Sequence, residues 1–180
     1  MEVFMHTGKE IMSAADIERC LDRLACQILE QVPEHESIAL VGIQRRGADL
    51  AARLCNLLSE RAGQSLPCGE LDINLYRDDW TTSKSTPNIN ATRIDFPVED
   101  KTIILIDDVL FTGRTIRSAL EAILDFGRPR CVKLLVLIDR GHRELPIQAD
   151  FTGKTVSTER DRQINVFLKE RDGLDQVLLN

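Results

Sequence analysis

At 180 residues, 43% hydrophobic and 29% charged, the chain has the size of one ordinary domain and the composition of a folded globular protein, which excludes wholesale disorder and leaves little room for a second full domain. The longest apolar runs, 103–106 and 134–138, fall far short of the ~20 residues of a membrane-spanning helix, and residues 1–10 lack the basic start and apolar stretch of a secretory signal, so a cytoplasmic location is expected. With 23 Lys and Arg against 29 Asp and Glu, the net charge of −6 argues against coating nucleic acid through bulk charge, although a local basic surface would be compatible with it.

In chain order, Ser13 with Asp16 three positions on resembles a capping pair, and Ile17, Cys20, Leu21, Leu24, Ile28, Leu29 and Val32 follow at helical spacing. Residues 37–43 form a short apolar run, Gln44-Arg45-Arg46-Gly47 a tight loop, and an Ala/Leu-rich stretch to Arg61 a helix that Gly63 stops. Residues 70–76 alternate, with Leu71, Ile73 and Leu75 on one face, as in a half-covered strand. Periodicity then vanishes from Arg77 to about Pro97, the profile of a lid, a binding loop or a disordered linker. A β-branched strand at 102–106, a polar loop at 107–115, a helix at 116–126 ended by Gly127 and Pro129, and a buried strand at 131–138 complete the pattern. Strands alternating with helices predict an α/β fold with a mainly parallel central sheet, whose ligands sit beyond the carboxyl ends of the strands. The five cysteines, odd in number and without a Cys-x-x-Cys spacing, suggest neither zinc nor disulfides and read mostly as small core hydrophobes.

The stretch from Ile103 to Thr115, Ile-Ile-Leu-Ile-Asp-Asp-Val-Leu-Phe-Thr-Gly-Arg-Thr, carries the chemistry. An apolar strand delivers Asp107 and Asp108 to the crevice, and a small-residue turn then opens a helix whose first amides and dipole attract an anion such as a phosphate monoester. Carboxylates beside a phosphate cradle suit sugar hydroxyls, or a metal and its waters, so a sugar phosphate is the implied ligand. An acidic pair before a threonine also suits a plain turn and cap. No Gly-x-x-x-x-Gly-Lys-Ser/Thr or Gly-x-Gly-x-x-Gly occurs, which argues against nucleotide hydrolysis and hydride transfer.

The full thirteen-residue order resembles the phosphoribosyl pyrophosphate (PRPP) signature of the type I phosphoribosyltransferases. Val41-Gly42-Ile43-Gln44-Arg45-Arg46-Gly47, Asp72-Ile73-Asn74-Leu75-Tyr76-Arg77-Asp78-Asp79 and Asp139-Arg140-Gly141-His142-Arg143-Glu144-Leu145-Pro146-Ile147 further resemble the PyrR family of bifunctional pyrimidine-operon regulators and uracil phosphoribosyltransferases, a likeness running over 17–178. It implies a single phosphoribosyltransferase domain over 1–180, with a flexible loop at about 77–97 and a small hood near 139–180 and the N-terminus. It also implies that uracil and PRPP react to UMP and pyrophosphate with Mg²⁺. Asp107 and Asp108 would hold the ribose hydroxyls directly or through Mg²⁺ waters, and the stretch Val109, Leu110, Phe111, Thr112, Gly113, Arg114 and Thr115 would bind PRPP or UMP, its last four residues wrapping the 5′-phosphate. Arg45, Arg46 and Gly47 would form the pyrophosphate loop, with Gln44 and Arg45 where the family usually has Lys and Thr. Arg77 would reach pyrophosphate from the mobile loop, and Trp80 would pack at its hinge. Asp139, Arg140 and His142 fall in the base-recognition hood, His142 being equally compatible with a packed or surface role. Phe111 stands where hypoxanthine-guanine relatives carry Asp, which disfavours a purine.

The resemblance also implies UMP-dependent binding of a pyrimidine-operon leader RNA, hence transcription attenuation, and a homodimer or higher homo-oligomer. Arg128, Arg130 and Arg143 are the candidate RNA contacts, within a stretch that also holds Lys133 and Arg140 against Asp139; a solvated or substrate-facing set of charges fits the same residues. Against regulation stand the net acidic first helix and Gln148, where the family often has Arg. The alternatives are an RNA-binding regulator with vestigial catalysis and a phosphoribosyltransferase for another base.

Overall fold

The structure is a computed structural model that describes residues 8–76 and 92–180. Five parallel strands form the central sheet in the order β3-β2-β4-β5-β6, where β2 is Ile38–Ile43, β3 Cys68–Leu71, β4 Thr102–Leu110, β5 Cys131–Asp139 and β6 Phe151–Thr155. The chain ends meet in a separate antiparallel sheet, β1 (Lys9–Met12), β8 (Gln176–Leu179) and β7 (Ile164–Phe167). The helices are α1 (Ala14–Gln31), α2 (Arg46–Ala62), α3 (Arg114–Leu124) and the single turn α4 (Lys169–Asp172). None among the described residues is long and apolar enough to cross a membrane.

Alternation along the central strands builds two cores. Ile38, Leu40, Ile104, Ile106, Leu135 and Leu137 face α1 and α2, while Ala39, Val41, Ile103, Leu105, Leu134 and Val136 face α3. Strands covered on both faces read as continuous apolar runs, which is why 38–43, 102–106 and 131–138 stand out in the sequence. The helix α1 begins on the expected box, in which Ser13 and Asp16 reciprocally satisfy each other's backbone amides, and α2 ends on Gly63 at φ 66°, a left-handed cap.

Four expectations are corrected. The strand at β3 stops at Leu71, because the Asp72 carboxylate accepts the Asn74 amide at 2.8 Å and turns the chain into a 3₁₀ turn, Asn74–Tyr76, that leaves Leu75 64% exposed. β4 runs on through the acidic pair to Leu110, so the loop expected at 107–115 shrinks to 111–113. The end of the aperiodic segment is anchored: Arg93 exchanges both backbone hydrogen bonds with Glu70, and Ile94, Phe96 and Val98 pack into the α3-side core. Of the five cysteines, Cys20 and Cys55 alone are buried; Cys26, Cys68 and Cys131 lie at exposed positions of α1 and of strand starts.

A close backbone approach lies where α2 meets the sheet. A β-carbon on Gly47 would sit 2.5 Å from the Ile106 carbonyl oxygen, and one on Gly42 would sit 2.4 Å from the Ala48 α-carbon. Only glycines let the first turn of α2 press against the middle of β4. Gly47→Ala is therefore expected to cost about 1–3 kcal/mol, measured by urea unfolding, because backbone rather than a movable side chain must yield. An unchanged midpoint would show that the contact is not tight.

Candidate active site

β2 and β4 pair only as far as Gly42 and Ile106, whereas β4 continues beside β5 through Asp107–Val136, Val109–Ile138 and Leu110–Asp139. Beyond Ile106 the β2 side of β4 is open. β2 and β4 also flank the point where the sheet order reverses, the position at which open α/β sheets bind ligands. A cleft of about 460 Å³ occupies this notch, lined by residues 43–46, Asp72, Ile73, Asn74, Asp107, Asp108, Val109 and Thr115.

Asp107 is buried and Asp108 half-buried. Their carboxylates take local amides: Asp107 Oδ1 accepts the Asp108 N–H and Asp108 Oδ1 the Val109 N–H, each at 2.9 Å. Burial, reinforced by the Asp108 charge, pushes the Asp107 carboxyl well above the usual range. Burial also raises Asp108, opposed by its hydrogen bonds and by the nearby Arg46 guanidinium.

Opposite stands the first turn of α2. Arg46 donates through Nη2 to Asp172 at 3.1 Å, and its Nε is buried with no partner among the described residues. Gly47 lies beneath, against β4. A cis peptide joins Gln44 to Arg45, and Gln44 Nε2 donates to Glu70 at 3.1 Å. On the third side, Gly113 turns the chain at φ 92° into α3, whose first-turn amides are natural anion donors. The Thr112 carbonyl accepts the Glu144 and Leu145 amides at 2.9 and 3.2 Å, fixing this turn to the segment after β5.

Of the residues proposed from the sequence, the structure thus gathers Arg45, Arg46, Asp107, Asp108, Val109 and Thr115 around one cleft, with Gly47 as its floor. Leu110 points into the α3-side core, and the Arg114 guanidinium turns to Glu144 at 2.9 Å. Phe111 belongs to a second cluster: the Arg140 guanidinium lies 4.2 Å from its ring centroid, and His142 meets it edge-on at 6.0 Å. Arg140 is buried and donates to the Glu159 carbonyl at 2.9 Å, His142 Nε2 lies 2.6 Å from the Thr158 carbonyl, and Asp139 accepts the Gly141 amide at 2.9 Å. Arg77 and Trp80 lie outside the described residues.

The arginines considered for RNA do not share a face. Arg128 and Arg130 precede β5 and Arg143 follows it, and a nine-residue strand separates its ends by roughly 25 Å. Arg130 is paired with Glu34, and Lys133 with Asp150 at 3.4 Å. Arg143 is turned inward, bonded to Asp139 and to the Phe111, Gly141 and Ile147 carbonyls. Summing charge along the sequence misses these pairings. Asp72 and Asn74 line the cleft although the sequence reading gives them no role; the signal available is their place just past the end of β3 on the ligand side of the sheet.

Comparison with known proteins agrees with this geometry. The Phosphoribosyl transferase domain profile matches residues 7–169. The bifunctional PyrR protein of Syntrophobacter fumaroxidans is 50% identical over 172 residues, covering 96% of this chain and 92% of that protein. That of Thermus aquaticus is 50% identical over 175 residues, 97% of each. Among solved structures, a hypoxanthine phosphoribosyltransferase of Trypanosoma cruzi superposes with a TM-score of 0.75 at 15% identity, over 99% of this chain and 94% of that one. One from Staphylococcus aureus gives 0.69 at 20% identity, over 99% and 96%. The fold is that of a phosphoribosyltransferase. Within that class, the chain belongs to the PyrR family.

The burial of Asp107 sets a stability prediction. Because its folded pKa is raised, its stabilising contribution is complete below the unfolded carboxylate value near 3.8 and is lost as pH rises through the folded value. Asp107→Asn keeps an acceptor for the Asp108 amide and removes the buried charge. Calorimetric melts should show the variant melting higher than the parent at pH 8, at about 2–4 °C per kcal/mol gained, with the gap closing toward pH 4. A parent that is equally or more stable at pH 8 would contradict the assignment.

Proposed function

We propose that the protein is a uracil phosphoribosyltransferase, converting uracil and PRPP to UMP and pyrophosphate, and that it also regulates pyrimidine-operon expression by UMP-dependent binding of leader RNA. The observation that carries the enzymatic reading is the meeting of a carboxylate pair, buried Asp107 and half-buried Asp108, with the first turns of two helices in one cleft. Carboxylates accept hydrogen bonds from vicinal hydroxyls, and helix starts with adjacent arginines accept phosphates.

In this reading Asp107 and Asp108 orient the ribose, and the amides of 112–115 hold the 5′-phosphate. Arg45, Arg46 and the start of α2 receive the pyrophosphate, with Arg77 as a further contact. Uracil N1 attacks ribose C1 as the bond from C1 to the pyrophosphate oxygen breaks; the bonding pair leaves with pyrophosphate and the N1 proton passes to solvent water. The flanking carboxylates stabilise the positive charge that develops on the sugar. The described residues contain no cluster of three acidic, His or Cys ligands. Two oxygen-bearing side chains fit a small hard cation that draws its other ligands from substrate and water, and we assign Asp107 and Asp108 to Mg²⁺ on that basis. Bound there, the ion neutralises leaving-group charge.

The base site is assigned to the segment around Asp139, Arg140 and His142, within a hood formed near 139–180 and the N-terminus of a single domain. Phe111, packed under Arg140, offers no carboxylate to a purine imidazole N–H, which favours a pyrimidine. For RNA, the candidates are Arg128 and Arg130, just before β5 and both exposed, with Arg143 the weakest of the three because its guanidinium is bonded to Asp139 and three carbonyls. Exposed Leu75, Leu124 and Phe126 support a homodimer or larger homo-oligomer, and five free thiols support a reducing, cytoplasmic setting.

The test combines both activities. With PRPP and Mg²⁺, a panel of free bases should yield nucleotide from uracil alone, with loss of activity on chelation. Gel shifts with the operon leader should strengthen with UMP and weaken steeply with salt. Turnover of hypoxanthine or guanine in preference to uracil would overturn the base assignment, and a shift indifferent to UMP would overturn the regulatory one.

A further inference from the structure

Two residues that line the cleft, Arg45 and Arg46, are held from outside it by a segment more than a hundred residues away in sequence. After β7 the chain makes the single turn α4 and reaches β8, and residues 168–175 lie against the start of α2. Two contacts reach the proposed leaving-group loop itself. Asp172 accepts Arg46 Nη2 on both carboxylate oxygens, at 3.1 and 3.3 Å, and Arg171 Nη2 donates to the Arg45 carbonyl at 3.3 Å. The turn that makes these contacts is itself held. Asp172 Oδ2 accepts the Leu168 amide at 2.9 Å, Asp175 accepts the Lys169 amide at 2.8 Å, and Leu168 is fully buried. Arg53, on the same face of α2, clamps Glu170 and Asp175, and Arg171 pairs with Asp49 in the first turn of α2.

We propose that Asp172 is a positioning residue for pyrophosphate: it holds the Arg46 guanidinium at the cleft, with Arg171 fixing the Arg45 carbonyl, so that the turn at 168–175 presets the loop that receives the leaving group. The inference rests on the assignment of Arg45 and Arg46 to pyrophosphate made above. Its physical basis is the entropy of arginine. A long side chain must be immobilised to bind an anion, and a carboxylate that already holds one terminal nitrogen removes most of that cost before the ligand arrives. A carboxylate near a phosphate site would repel the ligand if it faced the cleft directly. Asp172 is not among the cleft-lining residues, whereas Arg46 is, so the acid acts from behind the guanidinium.

The experiment compares ligands that do and do not carry pyrophosphate. Calorimetry on the full-length protein would give affinities for PRPP with Mg²⁺, for pyrophosphate and for UMP in the parent, Asp172→Asn, Arg46→Ala and the double variant, alongside steady-state kinetics. Asp172→Asn is expected to weaken PRPP and pyrophosphate by about three- to tenfold, the size of one side chain's ordering cost. UMP affinity should stay unchanged, and the loss should appear in the PRPP KM rather than in kcat. In the Arg46→Ala background the substitution should have no further effect. Arg171→Gln, at an exposed side chain, should act in the same direction and keeps the test readable if Asp172→Asn melts early. Equal weakening of UMP and PRPP would reduce Asp172 to a structural residue and overturn the proposal, as would an unaltered PRPP affinity while Arg46→Ala loses it. An Arg46→Ala protein with parental PRPP and pyrophosphate affinity would instead bring down the underlying loop assignment, and this inference with it.

Discussion

The overhang of β4 beyond β2 is the constraint on which the rest of the structure depends. A strand flanked on both sides buries its backbone groups in ladders, but past Ile106 one neighbour is missing and the chain continues with two aspartates. The amides of Asp108 and Val109 donate to the carboxylates just before them, and the side chains, Asp107 buried and Asp108 half-buried, line the cleft. Burial raises the cost of ionisation for both acids, and at Asp107 the neighbouring Asp108 charge adds to it. The protein tolerates that cost because the arrangement presents acceptors at a fixed point of a rigid sheet, which is where a ligand's hydroxyls or a cation with its waters can be gripped.

Other features follow from that notch. The start of α2 must come close enough to face the acids, and Gly42 and Gly47 make the approach sterically feasible. The turn into α3 must be held at the third side, and the segment after β5 does so through the Thr112 carbonyl and the inward-facing Arg143. Arg143 thus connects two regions: it bonds to Asp139 and to the Phe111 carbonyl, so the turn into α3 and the Phe111, Arg140 and His142 cluster are set relative to each other by one guanidinium. The chain-terminal sheet adds the turn that braces Arg46. Elements distant in sequence converge on the cleft because each covers a different edge of it.

Much of this was legible in the residues. Ser13 and Asp16 announced α1, Gly63 marked the end of α2, and the doubly covered strands appeared as apolar runs. The acidic pair, picked out by its order in the sequence, lines the cleft together with Thr115. Harder to read was the length of β4, because polar residues inside a buried strand look like a loop when neighbours are unknown. The premature stop of β3 depended on one Asx turn at Asp72, against an alternation that predicted strand to Tyr76. The antiparallel sheet joins Lys9–Met12 to Gln176–Leu179, a pairing across nearly the whole chain that no local pattern encodes. Charges misled for the same reason: Arg130, Lys133 and Arg143 counted as a basic run until their partners Glu34, Asp150 and Asp139 were seen.

The central claim is one of placement, and a crystal structure of the protein with UMP tests it most directly. The account predicts the ribose hydroxyls within hydrogen-bond distance of the Asp107 and Asp108 carboxylates and the phosphate on the amides of residues 112–115. A phosphate seated instead on Arg45 and Arg46, with the sugar turned away from the two aspartates, would contradict it.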